Sequence, residues 1–591
     1  MNFKNILKTT YFAFAIFLIS FSTSTANDLN TKEILKAMKD ELQREMKELK
    51  LENLERPYYI EYTLRSTHAN NISATLGNIV DNNSKLYNTL NVGVRVGNYE
   101  FDNSNFFDVG FSFFGSTDDE ENYTRRTLPV DLNYDVLRRE LWLATDAAYK
   151  QSSEVYAKKT ASLKNIIRKD TIPDFSKINP TVSIDTINTP DFDFLKFKKL
   201  VQDLSDIFTS FPKIFVSKVS TEYIPVRTYY VNSEGMEYVK DEMQTGLEVV
   251  AYTQTEKGIP LAEHYSVYSQ NPNNLPKEDS LRKAINELAV KLTYMTKVNT
   301  LDDSYNGPVL FEDQASTEIF SQVFAPNLIA QRQPLSEGFS IGGNDKSMAF
   351  QKKIGGRVLP EFLSVFDVPN EAKYKKTELL GYYIIDDEGL KPNRITLVEN
   401  GYLKTLLNER IPVKRIYKSN AHKRNGAAMY SNLVVFPDPI KTLSDKELKE
   451  KLLQLVNQRE LPFGIIIRKV MNQNIQATGL MSETFGQSMY FNSQKGIPVL
   501  EAYKIYPNGM EELIRSVEIN SVSPQSFKDI IYAGKTAYVQ NLLAPAVISP
   551  FMTGGSSYVG ASINCPSLLF EDMEINAIDK DTPKPPYITK P

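Results

Sequence analysis

Apolar positions recur along this chain with two different periods. Between residues 31 and 51, Leu35, Met38, Leu42, Met46 and Leu49 return at three- and four-residue steps with Lys and Glu between them. That spacing predicts a helix with one buried stripe, and Asn30-Thr31 supplies a capping residue. The period then changes to two. Tyr58, Ile60, Tyr62 and Leu64 alternate with other residues, as do Leu90, Val92, Val94 and Val96 with Asn91, Gly93, Arg95 and Gly97. These runs predict strands with one buried and one wet face. A long helical stretch follows over 134–163, around the single tryptophan, Trp142. A second strand-rich block spans 221–270, turned by Asn232-Ser233-Glu234-Gly235. Leu281, Ala284, Ile285, Leu288, Leu292 and Met295 mark another helix, and the remaining third is mostly strands. Within it, Asn400-Gly401 between Ile395–Val398 and Tyr402–Leu407 predicts a hairpin with a type I′ turn. Leu448, Leu452, Leu455 and Val456 predict a helix started by Ser444-Asp445.

Alternating helical and strand-rich blocks in 591 residues predict a multidomain α+β protein. The segment 165–195, rich in Asp, Pro, Thr and Asn, reads as a loop or insertion, and 579–591 as an extended proline-rich tail. At the amino terminus, Lys4 and Lys8 precede the apolar run Tyr11–Ile19 and small residues up to Ala26. This pattern predicts a signal peptide over 1–26 and an exported product, periplasmic or secreted. The run is shorter than the ~20 residues of a membrane span, so no membrane association is expected after cleavage. The remaining expected divisions are an N-terminal α/β domain over 27–120, a central domain over 121–300 and a β-rich domain over 301–578. A net charge of -4 gives no global attraction to nucleic acid or membrane. One cysteine, Cys565, excludes an intrachain disulfide and reads as a buried thiol.

Candidate chemistry is sparse. The three histidines, His68, His264 and His422, stand far apart, and no Cys-x-x-Cys occurs. His68 reads as a solvent-facing loop residue and His264 as a strand residue. Asp386 and Asp387 are adjacent and belong to a turn with Glu388-Gly389. Several segments in a fixed order carry more weight. They are Gly307-Pro308-Val309-Leu310-Phe311-Glu312, Thr317-Glu318-Ile319-Phe320-Ser321-Gln322, Ile385-Asp386-Asp387-Glu388-Gly389, Glu399-Asn400-Gly401-Tyr402-Leu403-Lys404, Ser419-Asn420-Ala421-His422-Lys423-Arg424 and Tyr430-Ser431-Asn432-Leu433. Together they resemble the TldD/PmbA family over roughly residues 35–575, and the 301–578 region looks like that family's C-terminal domain.

The resemblance implies a zinc metallopeptidase fold, whose competent members carry His-Glu-x-x-x-His on a helix. Here Thr317 and Gln322 occupy the two ligand positions, while Glu318 remains as a vestigial general base. Neither Thr nor Gln replaces imidazole on zinc. The resemblance places the third ligand near Met552, so Cys565 is not that ligand. No metal site is therefore expected in this chain, and zinc is expected only in an active partner. By the same resemblance, Ser419–Arg424 lies near the family's cleft, in a basic neighbourhood with Arg410, Lys414, Arg415 and Lys418. Peptide-cleft candidates are His422, Asn420, Arg424 as a fork donor to a carboxylate, and Asn432 bonding a peptide main chain. The implied function is that of a non-catalytic homologue acting on peptides beside a zinc-bearing relative, as a hetero-oligomer or homodimer. The alternatives are an active metallopeptidase with non-standard ligands and a stand-alone peptide-binding protein.

Overall fold

The computed structural model describes residues 30–52, 54–107, 125–164, 172–185, 189–190, 192–332, 335–336, 349–472, 474–475, 496–546 and 558–578. The signal segment, the tail and the position near Met552 lie outside the described residues. The architecture is α+β, built on two large sheets.

The first sheet is built on four long antiparallel strands, β1 (Pro57–Thr75), β2 (Asn78–Val96), β3 (Val216–Asn232) and β4 (Glu237–Gln254). Their order is β2-β1-β3-β4. Arg125–Leu128 extends the β2 edge, while Val182–Asp185 and Pro260–Ser269 both pair with β4. Alternation sorts the residues of this sheet. Ile60, Tyr62, Leu64, Leu90, Val92, Val94, Tyr229, Val231 and Val239 share one face, which is buried under a helix over 30–48 (α1) and a second over Tyr134–Leu163 (α2). At the far end of the same strands, helices Phe194–Asp206 (α3) and Glu278–Met295 (α4) cover Ile72, Val219, Leu247 and Val249. Asn133 caps α2 by accepting from the Val136 N–H at 2.9 Å.

The opposite face, expected to be wet, is largely covered. Tyr59 and Tyr230 are 1% exposed, and Arg410 from the second unit is fully buried against them. The Tyr59 and Tyr230 hydroxyls both donate to Glu61 Oε2, at 2.8 and 2.7 Å, and Arg410 bridges Glu234 and the carbonyl of Ser176. Desolvated polar groups of this kind must be paired, and here they pair across the two units. The chain outside the strands therefore docks onto the face that local periodicity assigns to solvent.

Two further expectations differ from the structure. The division at 120/121 separates strands of one sheet, because β1 pairs with β3 over Glu61–Ala74. The regions 27–120 and 121–300 thus share a sheet. His68 is exposed as read, but lies on β1 rather than in a loop, with its ring 3.0 Å from the Ser84 hydroxyl. Within 165–195, the described part is mostly irregular but contains the strand Val182–Asp185 and a buried anchor. Asp174 and Lys159, both 0% exposed, pair at 2.6 Å, and Asp174 also meets Arg332 at 3.1 Å.

The second sheet begins at Tyr305. Strands β5 (Tyr305–Phe311), β6 (Gly464–Val470), β7 (Gly496–Ile505), β8 (Val517–Asn520) and β9 (Tyr558–Ala577) pair in that order, and β9 returns to β5. The ring is closed, so β5 has no free edge within it. Ile530–Pro545 runs antiparallel along β9, and Asn432–Pro437 and Leu363–Asp367 extend the sheet from it. The hairpin at 400–401 forms with positive φ at both Asn400 (49°) and Gly401 (81°), as its turn type requires. Ser444 starts helix Asp445–Gln458 (α6) with a complete capping box to Glu447. Strand β5 delivers the chain straight into helix α5 (Asp313–Ile319), which is buried beside β6 and β9. No helix among the described residues is long and apolar enough to cross a membrane.

Candidate functional site

Helix α5 does not continue regularly. Phe320–Phe324 forms a wide π turn, and Ala325–Leu328 a 3₁₀ turn with a proline at its start. The wide turn matters for a motif spaced by five residues. At 100° per residue, positions 317 and 322 diverge around an α-helix, whereas the wider π geometry brings them back to one side. Gln322 reaches Glu318, four residues earlier on the same face, with its amide donating to Oε1 at 2.9 Å and to the Met471 carbonyl at 2.7 Å.

Glu318 is 0% exposed and enclosed by carboxamides. Gln540, from the strand beside β9, donates to its Oε2 at 2.7 Å. Gln314, one turn earlier on α5, donates to the same oxygen at 3.1 Å. Gln540 Oε1 accepts from the Thr317 hydroxyl, which fixes the orientation of that amide, and Gln314 Oε1 accepts from the Val470 N–H at 2.9 Å. Burial pushes the Glu318 carboxyl up to about 7, against the pull of the three amides.

A zinc ion, implied by the fold family, does not fit this donor set. Amide nitrogens have no lone pair to give, two of the amide oxygens are committed to Thr317 and Val470, and Thr317 is neutral. Among the described residues no group of three or more His, Cys, Asp or Glu could hold a metal. Gln314 was legible as an i−4 neighbour of Glu318; Gln540 carried no local signal at all.

The open cavity lies elsewhere, between the two units. Its volume is about 730 Å³. Its floor is the outward alternation of the first sheet, including Arg65, Thr67, Thr89, Val226 and Lys240. Its other wall comes from the second unit, with Tyr382, Tyr383, Asp387, Arg424 and Tyr558. Asp387 ties the walls together, 2.9 Å from Lys240 Nζ and 3.5 Å from Arg65 Nη2, and it accepts from the Asn425 N–H at 2.6 Å. Burial alone would raise this carboxyl, but Lys240 and Arg65 hold it well below the usual range. Its neighbour Asp386 faces inward to the N–H groups of Glu388 and Leu390, each at 2.9 Å, and burial raises it.

The cleft candidates read from sequence separate into two groups. Arg424 lines the cavity, but its fork is already used on the carbonyls of Tyr430 (3.0 Å) and Gly560 (2.8 Å), under the Tyr383 ring. It is therefore not placed as a free carboxylate clamp. His422 and Asn432 are 0% and 1% exposed, and neither lines this cavity. Burial lowers His422, whose Nδ1 is 2.7 Å from the Asn420 carbonyl and 3.0 Å from Asn420 Oδ1. Asn420 is half-buried, holding the carbonyl of Leu406 at 2.8 Å. The Asn432 amide donates to the carbonyls of Val368 and Glu371, at 3.3 and 3.1 Å, rather than to a peptide. Arg65 and Lys240, which line the floor, escaped the sequence reading because strand alternation does not say what covers the outer face. His264 is a buried strand residue as read, lowered to about 3 by burial and by Lys469.

Residues 304–577 match the family model described as the PmbA/TldA metallopeptidase C-terminal domain. No curated protein matches the chain. Among solved structures, the fold is similar to TldE from Thermococcus kodakarensis, at 12% identity, a TM-score of 0.53, and coverage of 91% of this chain and 99% of that one. It is also similar to two candidate modulators of DNA gyrase. The one from Thermotoga maritima is 15% identical at a TM-score of 0.51, covering 88% and 96% of the two chains. The one from Bacteroides thetaiotaomicron is 14% identical at 0.52, covering 92% and 98%.

Proposed function

The chain belongs to the TldD/PmbA family, and from that premise we propose that it is a non-catalytic member that holds peptides beside a zinc-bearing relative. The observation that carries this reading is the enclosure of Glu318. A general base of a metallopeptidase must face a metal-activated water. Here every carboxylate oxygen faces a glutamine amide, and the flanking ligand positions are Thr317 and Gln322. Peptide chemistry is supported by the cavity, where cations, anions and tyrosines mix with apolar residues in about 730 Å³, room for a short segment of chain. Zinc belongs, on this reading, to the partner alone.

A stand-alone peptide-binding protein is the second reading, favoured by a cavity that one chain lines from both sides. An active peptidase with other ligands has no donor set to support it among the described residues. The gyrase wording attached to two structural neighbours is not carried over, since the net charge is -4 and the amino terminus reads as an export signal. The decisive experiment expresses the mature chain alone and with an exported homologue bearing His-Glu-x-x-x-His. Chelator-sensitive peptidase activity only in a co-purifying pair supports the proposal. Stoichiometric zinc and activity in the isolated chain overturn it, and peptide binding without any association selects the second reading.

A further inference from the structure

The basic residues around the 410–424 segment divide into an inner and an outer set. Arg410 and Lys423 point inward, to Glu234 at 2.7 Å and Glu388 at 3.5 Å, and Arg424 is bonded to main-chain carbonyls. Lys414, Arg415 and Lys418 point outward and are exposed. The fold adds cations from two other segments to that outer set. Gly355 N–H donates to the Leu403 carbonyl at 2.7 Å, Leu403 N–H to the Gly356 carbonyl at 2.9 Å, and Arg415 Nη1 to the Ile354 carbonyl at 2.8 Å. These bonds gather exposed Lys352, Arg357 and Lys404 beside Lys414, Arg415 and Lys418.

Lys404 pairs with Glu399 at 2.8 Å. The other five have no carboxylate within ion-pair distance among the described residues, and Glu361 is the further exposed acid in the neighbouring chain. A chain of net charge -4 thus concentrates unpaired positive charge on one surface, which is the footprint of an anionic partner. Two exposed tyrosines, Tyr402 (41%) and Tyr417 (54%), stand in the same segments. Tyrosine with Lys and Arg is the composition that suits a lipid–water interface, where the ring sits at headgroup level and the cations meet phosphate.

We propose that this surface, formed by 352–357, 402–404 and 414–418, docks the protein peripherally on an anionic phospholipid surface, contrary to the expectation of no membrane association drawn from the apolar pattern and net charge. The amino-terminal export signal favours a membrane over nucleic acid as the polyanion within reach. The surface is separate from the cleft, so this inference does not depend on the peptide reading.

The test is co-sedimentation of the mature chain with vesicles of phosphatidylcholine containing about 30% phosphatidylglycerol, against vesicles of phosphatidylcholine alone. Binding to the anionic vesicles only, abolished in 0.5 M salt and at least tenfold weaker in Lys352→Glu/Lys414→Glu/Lys418→Glu, is the expected result. Lys283→Glu/Lys446→Glu, on exposed helix positions elsewhere, should bind as the parent does. Circular dichroism keeps misfolding out of the comparison. Absence of vesicle binding overturns the proposal, as does equal binding by the triple variant. Retention on DNA but not on vesicles, lost in the triple variant, also overturns it and assigns the patch to nucleic acid.

Discussion

Gln540 Nε2 lies 2.7 Å from Glu318 Oε2, joining residues 222 positions apart in the chain. The contact closes the one place where the fold family's reaction would need an open carboxylate. The carboxylate is not idle. It organises the three glutamines, and through them joins α5 to the main chain at Val470 and Met471. Glu318 is the hub of a buried polar network, which low dielectric makes strong when complete and costly when broken.

Burial raises both Glu318 and Glu222 to about 7 from an ordinary value of 4.5. Between those values the folded protein keeps protons that the unfolded chain releases, so stability falls as pH rises through that window. Each group removes up to about 3 kcal/mol by pH 8. Glu263 has the opposite sign. Burial opposes its charge, but Lys469 and Lys291 hold it down to about 2, so its contribution is lost as pH falls below 4.5 towards 2. Thermal melts should therefore peak near pH 4.5 and decline from there towards 8. The decline should be shallower in Glu318→Gln; an identical slope in that variant would refute the assignment.

Restoring the motif histidines should not restore a metal. Thr317 is 0% exposed and locked to Gln540, so Thr317→His/Gln322→His puts an imidazole where the Gln540 amide stands. The overpacking costs about 1–3 kcal/mol, and the glutamine remains beside the base. Elemental analysis of the double variant should give far less than one zinc per chain. Near-stoichiometric zinc would show that the enclosure yields to metal.

Ala421 has φ of +63° and is 4% exposed. This left-handed backbone is one that glycine adopts freely and alanine only under strain. Ala421→Gly should raise the urea midpoint, through a gain in stability of about 0.5–1 kcal/mol after the entropy cost of glycine in the unfolded chain. A lowered midpoint would mean that the methyl packs better than it strains.

Local signals were faithfully expressed in the structure. The Ser444 capping box, the Asn400-Gly401 hairpin and the alternation of Ile60, Tyr62 and Leu64 each depend on a few neighbouring residues, and each formed. What failed was non-local. Nothing near Tyr59 announces that its ring and hydroxyl meet Arg410, and nothing near residue 120 says that β1 will pair with β3. The candidate site shows the same division. Thr317, Glu318 and Gln322 were legible as a depleted motif, because they are adjacent on one helix. The enclosing Gln540 and the cleft residues Arg65 and Lys240 arrive from distant strands, and only the sheet pairings bring them in.

Arg424 and Arg65 both line the cavity but should behave differently when shortened. Arg424 holds the carbonyls of Tyr430 and Gly560 together, so Arg424→Ala leaves two acceptors without donors and removes the cation over Tyr383. The cost should be about 2–4 kcal/mol. Asn432→Ala should cost about 1–3 kcal/mol for the same reason, since its amide serves the carbonyls of Val368 and Glu371 in the interior. Arg65 is different. Its side chain is 27% exposed, and its partner Asp387 is still held by Lys240 at 2.9 Å when Arg65 is removed. Arg65→Ala should then change stability by less than about 1 kcal/mol while weakening peptide capture in the cavity. Melting curves and calorimetric titration with a synthetic peptide library separate the two effects. A large loss of stability in Arg65→Ala, or intact melting in Arg424→Ala, would reverse these roles and return Arg424 to the position of a free ligand clamp.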